Sequence, residues 1–243
     1  MKKTILIMMV AALSLQSCIT VKTNGTKGKN GTTWENSSSE NFSNQPMETK
    51  TLNVGDFSGI EVETAIKVYI KPSAEKKIII NSNALKYVSV KNKNGKLTIS
   101  YDSPKGLTNV NTEITIYTND LKKITAESAS KVFLDEGFPF TDLELYISSA
   151  SQMQGKIKAQ NLKADISSAS KFEAELDVQQ LDVEASSAAK VNLTGKTKIL
   201  NIEATSAAKV NAEKLQYESI KIDNSSLGKV LTINANSLNI KMI

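Results

Sequence analysis

Histidine and arginine are both missing from this chain of 243 residues, and cysteine occurs only once, at Cys18. Without histidine there is no Ser-His-Asp or Cys-His catalytic pair, no imidazole ligand for a metal, and no general base with an unperturbed pKa near neutrality. Without arginine there is no planar fork for bidentate binding of phosphate or carboxylate. The composition therefore disfavours most familiar enzyme chemistries, and we predict no cofactor.

Aromatic residues make up only 5% of the chain, and its 30 basic residues, all lysine, are spread among 25 acidic ones for a net charge of +5. A single-strand nucleic-acid binder needs a basic patch that alternates with aromatic side chains, and the sequence contains no such segment. We therefore predict that the protein does not bind nucleic acid. The hydrophobic content of 40% is enough for one core, while the length is too small for several large domains.

The N-terminus has the pattern of an export signal. Two lysines precede an apolar run from residue 5 to residue 15, which is too short to span a bilayer. The run ends in Leu15-Gln16-Ser17-Cys18, which resembles the lipobox of a bacterial lipoprotein. The resemblance implies cleavage before Cys18 and lipidation of its thiol and new amino group, whereas the alternative is a buried, inert cysteine. We therefore predict a signal peptide at 1–17 and a membrane as a partner through the lipid anchor.

The segment after the predicted cleavage site is polar. Residues 19–50 are mostly Asn, Ser, Thr, Gly and Lys without apolar periodicity, a composition typical of a flexible linker. We therefore assign 18–50 to the lipidated cysteine and its linker, and we expect anchoring at the outer membrane. Residues 19–22 lack the acidic cluster that would resemble a surface-export signal of lipoproteins, which favours the periplasmic face and leaves the cell surface as the alternative.

The second half of the chain is a repeat. Leucine or isoleucine recurs at spacings of 18 to 20 residues, at Leu143, Leu162, Leu181, Leu200, Ile220 and Leu238. Each unit continues alike, as in LKADISSASKF from residue 162 and LDVEASSAAKV from residue 181, and an earlier copy begins at residue 122. A fixed period of this length is typical of solenoid proteins.

Within each unit, apolar and polar residues alternate. Leu181, Val183 and Ala185 alternate with Asp182 and Glu184, which predicts a strand with one buried face. A second short alternation follows the lysine of each unit, and the run Ser-Ser-Ala-Ser or Ser-Ser-Ala-Ala between the two suits a tight corner. Because no helical segment completes the unit, the sequence predicts an all-β protein, a parallel β-helix with rungs of about 19 residues.

Residues 51–120 are also rich in strand patterns but do not keep this period. We predict strands at 60–70, 77–80, 87–90, 97–101 and 113–117, with Asn94-Gly95 as a hairpin turn. Longer, irregular rungs and a β-cap on the solenoid are both compatible with this pattern. Residues 137–140 (Gly-Phe-Pro-Phe) are interpreted as a loop inserted into the first clear repeat. The β-helix domain is therefore assigned to 51–243.

Three segments carry a resemblance to a known family. FSGIEV from residue 57 with KVYI from residue 67, and NGKLTI from residue 94, resemble the landmarks of the head GIN domain family of auto-transporter adhesins. The SSASK runs resemble the small-residue turns of that family, with Ser and Ala in place of much of the Gly. The likeness covers roughly residues 50–243. It implies a right-handed β-helix similar to pectin-lyase-like folds, an exported lipoprotein of Bacteroides-type bacteria, an adhesive role, and no established catalytic residue to carry over.

Two charged columns follow from the repeat, because equivalent residues of successive rungs stack about 4.8 Å apart. The acidic column is Asp165, Glu184, Glu203 and Asp223, and the basic column is Lys131, Lys171, Lys190, Lys209 and Lys229. Clustered carboxylates favour a divalent cation, but carboxylates in a straight line on strands do not wrap an ion. We therefore interpret the acidic column as a solvated face and predict no metal site. The Ser/Ala column is interpreted as a close-packed corner, with a polar surface for a glycan or partner as the alternative.

These observations together predict a non-catalytic adhesin or structural module of the cell envelope. A glycan or protein ligand is expected on the long faces of the solenoid, and the oligomeric state is left open. The alternative is a polysaccharide-active β-helix enzyme, since a lysine-based lyase or a two-carboxylate glycosidase needs neither His nor Arg. The last strand, 238–243, is expected to be covered by a cap folded back from the N-terminal region or by end-on dimerisation.

Overall fold

The computed structural model describes residues 39–138 and 140–232, which form seventeen strands and one short 3-10 turn, Leu85–Tyr87. The strands are β1 (Ser39–Asn41), β2 (Glu48–Leu52), β3 (Gly59–Val62), β4 (Lys67–Pro72), β5 (Lys77–Ser82), β6 (Val88–Lys93), β7 (Lys96–Tyr101), β8 (Gly106–Thr108), β9 (Thr112–Thr118), β10 (Lys123–Ala126), β11 (Lys131–Leu134), β12 (Phe140–Ile147), β13 (Gln152–Ile166), β14 (Lys171–Ala185), β15 (Lys190–Ala204), β16 (Lys209–Asn224) and β17 (Lys229–Leu231). Cys18 and the predicted strand 238–243 lie outside the described residues.

Two parallel ladders build the solenoid. In the first ladder β3, β10, β12 and the second half of β13 pair side by side, and in the second β4, β11 and the first half of β13 do the same. From β13 onward each strand runs through both ladders without interruption and pairs in parallel with the next one. The prediction of a parallel β-solenoid is confirmed, with rungs about 20 residues apart.

The interior is a stack of apolar columns. Leu143, Leu162, Leu181, Leu200 and Ile220 are consecutive partners in register, and each is buried. Full burial of one such side chain contributes about 1.5–3 kcal/mol. A slip of one residue would turn the whole column outward, so these leucines fix the register of the rungs. In β15 the alternation of buried and exposed side chains is interrupted between Leu193 and Leu200, where the strand passes from one ladder to the other.

Each rung turns through the same corner. Ser168 and Ala169 have positive φ angles of 53° and 60°, and the Ser170 N–H donates to the Ser167 carbonyl at 3.1 Å, as in a type I′ turn. Backbone hydrogen bonds also join neighbouring corners, since the Ala169 N–H donates to the Ser187 carbonyl at 2.9 Å. Such bonds hold a conformation that costs an L-residue about 1–2 kcal/mol.

The last corner position is buried and small. It is occupied by Ser130, Ser151, Ser170, Ala189 and Ala208 in successive rungs. The Ser170 hydroxyl donates to the Ile147 carbonyl at 2.8 Å and also contacts the Ser167 carbonyl. Small size therefore allows the close approach of rungs here, and the buried hydroxyls find partners within the protein.

The predicted single strand at 60–70 is wrong. β3 and β4 are separated by a corner in which Thr64 and Ala65 have positive φ angles of 60° and 55°. The sequence Glu63-Thr64-Ala65-Ile66 lacks the Ser-rich pattern of the later corners, so nothing in the sequence marks an interruption of the strand. This rung lies between a rung made by β7 and β9 and the one made by β10 and β11.

Antiparallel strands cover the end of the solenoid opposite β17. β6 pairs antiparallel with β7, β5 with β9, and β2 with β5. The predicted strand at 87–90 becomes the turn Leu85–Tyr87 followed by β6, and the Asn94-Gly95 hairpin joins β6 to β7. Residues 51–120 thus contain both of the expected features, irregular rungs and a β-cap. The described part of the N-terminal region covers this end and not the β17 end.

One short strand and the start of a second lie inside the segment assigned to the linker. β1 pairs in parallel with β8, and β2 belongs to the antiparallel cover. Phe42 is buried and meets the Tyr87 ring edge-on at 6.0 Å between centroids, while Lys86 donates to Glu40 at 2.7 Å. One apolar side chain and its neighbours thus hold a segment whose composition is otherwise polar. No helix among residues 39–138 and 140–232 has the length and apolarity to cross a membrane.

Candidate functional site

The acidic column predicted from the repeat exists. Asp165 lies beside Glu184, Glu184 beside Glu203, and Glu203 beside Asp223 in the parallel register. Asp165 is half-buried and the other three are exposed. Lys163 of the neighbouring outward column offsets part of this charge, since its Nζ lies 3.3 Å from a Glu184 carboxylate oxygen.

The carboxylates of this face lie in a row on the sheet. Burial raises the pKa of the Asp165 carboxyl, and the charge of Glu184 raises it further. In the described part of the chain no three acidic side chains are grouped so that they could hold a metal ion. A cavity of about 240 Å³ lies on the same face, lined partly by Glu184, Glu203 and Asp223. The geometry is compatible with a solvated face.

The basic column is also in register, on the other side of the corner. Lys171, Lys190, Lys209 and Lys229 are consecutive partners, and Lys131 lies two rungs earlier with Gln152 between. Lys171 donates to Glu173 at 2.8 Å. The other four lysines are exposed and form no ion pair with any residue in the described ranges.

A third outward column, which we call the amide column, lies two residues after the basic one. Its six members are Tyr69, Phe133, Gln154, Glu173, Asn192 and Asn211, and Thr115 and Leu231 adjoin its two ends. The Tyr69 and Phe133 rings stack with centroids 5.1 Å apart and planes 18° from parallel. All six side chains are half-buried, so the column is a continuous row of polar and aromatic groups that lie close to the strands.

Glu173 is the acceptor at the centre of the amide column. Its carboxylate accepts from Lys171, from the Gln154 amide at 2.8 Å and from the Asn192 amide at 3.2 Å. The hydrogen bond from Lys171 is the main reason that the pKa of Glu173 lies below its ordinary value. These contacts orient the Gln154 and Asn192 amides along the face.

Sequence reasoning identified the two charged columns and missed the amide column. The sequence did contain a signal for the amide column, because in a strand the residue two positions after each column lysine points outward on the same face as the lysine. Its members differ in chemistry from rung to rung, so no repeated letter marks the column. Chemically, the basic and amide columns together offer ammonium groups, amide donors and acceptors, and an aromatic pair on one face.

Comparisons with known proteins agree with this architecture. A family profile described as "Putative auto-transporter adhesin, head GIN domain" matches residues 56–242. A "putative adhesin" from Parabacteroides merdae has a similar structure at 15% identity, with a TM-score of 0.68 over 77% of this chain and 81% of that one. A "putative adhesin" from Parabacteroides distasonis gives 12% identity and a TM-score of 0.71 over the same shares.

A third structure carries a different name. It is called a "Putative lipid binding protein" from Parabacteroides distasonis, and it aligns at 15% identity with a TM-score of 0.66 over 77% of this chain and 81% of that one. At these identities the likeness establishes the fold alone. No curated protein matches the sequence significantly.

Proposed function

The chain belongs to the head GIN domain family, and from this premise we propose that it is an exported, lipid-anchored binding module of the cell envelope that acts without catalysis. The observation that carries the proposal is the in-register stacking of β13 to β16, which turns single outward residues into continuous columns on the long faces. Such columns suit an extended ligand that contacts several rungs at once, because each rung repeats the same outward positions.

Anchoring through Cys18 is supported by the lipobox-like sequence before it. Lipidation there would tether the solenoid to a membrane, and stable anchoring requires more than one acyl chain. Replacing Cys18 by Ala removes the acceptor thiol, so we expect an uncleaved precursor that incorporates no fatty-acid probe. Ser14→Ala serves as the matched control and should mature normally. Normal maturation and labelling of Cys18→Ala would contradict the anchor.

The adhesive role is tested on whole cells. Cells that lack the protein should be retained several-fold less on a polysaccharide-coated surface than cells that make the full chain, and re-expression should restore retention. Polysaccharide recovered from the surface should keep its chain length. Unchanged retention after loss of the protein would contradict the proposed function.

A polysaccharide-active enzyme is the second candidate, and one arrangement favours it. Asp165 and Glu184 are neighbours in register, and the pKa of Asp165 is raised while Glu184 contacts Lys163. Glycosidases use two carboxyl groups whose pKa values are pushed apart. Against this candidate, the cavity of about 240 Å³ on that face is below the volume of about 300–1,000 Å³ that ligand pockets have.

The two candidates are separated by an activity screen. The full chain and its Asp165→Asn variant would be incubated with a panel of uronic-acid and neutral polysaccharides, and new reducing ends would be measured. The binding module predicts no release by either protein. Release by the wild type that is lost in Asp165→Asn would favour the enzyme.

A further inference from the structure

In the basic column, lysines of successive rungs lie next to each other. At several other positions on the long faces, charges of opposite sign meet across rungs, as in Lys71 with Asp135 at 3.5 Å and Lys156 with Glu175 at 3.6 Å. Lys190, Lys209 and Lys229 have no such partner among the described residues. Unit charges at a rung spacing of about 4.8 Å repel by about 1 kcal/mol in water, so the arrangement opposes folding slightly.

The amide column beside these lysines does not neutralise them. Its one acidic member, Glu173, is occupied by Lys171 and two amides. Asn192 and Asn211 lie in the rungs of Lys190 and Lys209, so the surface next to the uncompensated charges is neutral and able to form hydrogen bonds. Further along the same column, Tyr69 and Phe133 present a partly exposed stacked pair.

We propose that the basic column and the amide column together bind a linear anionic polysaccharide that lies along the solenoid axis. This inference rests on the proposed binding function and names its ligand class. Ammonium groups that repeat at every rung attract a polymer with carboxylates repeated along its length. The amides of Asn192 and Asn211 supply donors and acceptors for sugar hydroxyls, and the Phe133 and Tyr69 pair supplies an apolar surface for the sugar ring.

The chemistry of the face favours a polysaccharide over other polyanions. A membrane-binding face needs apolar side chains that insert between lipids, and the large apolar side chains exposed in the described ranges (Met47, Ile199, Leu227) lie in neither column. Single-stranded nucleic acid needs aromatic platforms for successive bases, whereas the described part of the two columns offers a single stacked pair, Tyr69 and Phe133. The acidic column on the other side of each corner repels a polyanion and confines it to this face.

The test compares two variants of the full chain with the same change in net charge. The column variant is Lys190→Gln, Lys209→Gln and Lys229→Gln, and the matched control is Lys122→Gln, Lys158→Gln and Lys198→Gln. The control lysines are exposed and have no ion pair within the described ranges. Binding to polygalacturonate would be measured by affinity electrophoresis, with neutral dextran as the comparison polymer.

We expect the column variant to bind polygalacturonate about tenfold more weakly than the wild type and the control variant to stay within about twofold, since each exposed charge contact contributes modestly. A third variant with arginine at the same three column positions keeps the charge and should bind within about twofold of the wild type. Circular dichroism checks that each variant is folded, and the single change Lys209→Gln provides a milder variant.

Several outcomes would overturn the inference. Equal losses in the column and control variants would indicate a general charge effect. Binding of phosphatidylglycerol vesicles or duplex DNA as tight as that of polygalacturonate, and lost in the column variant, would identify a different partner. If the wild type does not bind polygalacturonate while cells still depend on the protein for retention on the polysaccharide-coated surface, the ligand class is wrong and the proposed adhesive function stands.

Discussion

The corners place non-glycine residues in a conformation that usually requires glycine. In the described part of the chain seven corners have two consecutive residues with positive φ, and the commonest pair is Ser followed by Ala. Both residues of the pair are exposed, so side-chain packing does not explain the choice. In the Ser-Ala corners the Ala N–H donates to the carbonyl of the first pair residue in the next rung, and these bonds offset the local strain.

This strain makes Ala188 a site for a stability test. Ala188→Gly should raise the free energy of unfolding by up to about 1 kcal/mol, because relief of the left-handed strain exceeds the entropic cost of glycine. Ala188→Val should lower it by about 1–2 kcal/mol, because a β-branched residue tolerates positive φ poorly. Urea denaturation measures both. Lys190→Val, on an exposed strand position, should stay within about 0.5 kcal/mol, and equal losses at both positions would contradict the backbone explanation.

Two carboxyl groups should respond to pH with opposite signs. The pKa of Glu173 is lowered in the fold, so its stabilising contribution is present above its unfolded value of about 4.3 and is lost as the pH falls through the folded pKa. The pKa of Asp165 is raised, so its contribution is present below about 3.9 and is lost as the pH rises through the folded pKa.

Substitution separates the two effects. At pH 7 Glu173→Gln should be less stable than the wild type and Asp165→Asn more stable. As the pH falls, the Asp165 difference should shrink before the pH reaches about 3.9, whereas the Glu173 difference should shrink only below about 4.3. Thermal unfolding across the acid range measures the differences. If the wild type is more stable than Asp165→Asn at pH 7, the predicted sign of the Asp165 contribution is wrong.

At the scale of the strand, glycine is required where one rung approaches the next. Gly195 has a φ angle of +97°, and a Cβ atom there would collide with the backbone of Leu176. Gly195→Ala should therefore lower the free energy of unfolding by about 2–4 kcal/mol, from left-handed strain and overpacking together. Gly95 has a φ angle of +76° and open space around it, so Gly95→Ala should lose only about 1 kcal/mol. Similar losses at both sites in urea denaturation would refute the close approach.

The rung is the natural unit of insertion and deletion. Removal of residues 171–189 joins Ser170 to Lys190 and brings Leu162 against Leu200, which keeps every inward column in register. Because repeat proteins depend on nearest-neighbour contacts, this variant should fold, with the circular dichroism of a β-protein and a cooperative melt. Removal of 171–180 alone breaks the register and should abolish folding. Folding of both variants would contradict the requirement for register.

The leucine period and the alternation within each unit were enough to predict the solenoid, the inward leucines and both charged columns. The same two patterns did not predict the rung formed by β3 and β4. The Thr64-Ala65 corner has no Ser-rich signature, and its rung lies between strands that come later in the chain, β7 and β9 on one side and β10 and β11 on the other. That order depends on pairing between distant segments, which local periodicity does not encode. The amide column was missed because its residues change from rung to rung.

At the scale of the whole molecule, each corner separates two charged surfaces. The acidic column precedes the corner and the basic column follows it, so the charge changes sign across the row of exposed Ser and Ala residues. On the acidic side Lys163 forms an ion pair with Glu184, whereas Lys190, Lys209 and Lys229 form no ion pair within the described residues. An anionic polymer is therefore drawn to one long face and repelled from the next.

The most direct measurement is lysine footprinting of the full chain with and without polygalacturonate. Each of its 30 lysines reports on its own surroundings when an acetylating reagent is read out by mass spectrometry. We predict that Lys190, Lys209 and Lys229 lose reactivity together, since one extended ligand covers successive rungs, while Lys158 and Lys198 keep theirs. Protection that is spread evenly over the lysines, or that falls on Lys158 and Lys198, would contradict binding along the basic face of the solenoid.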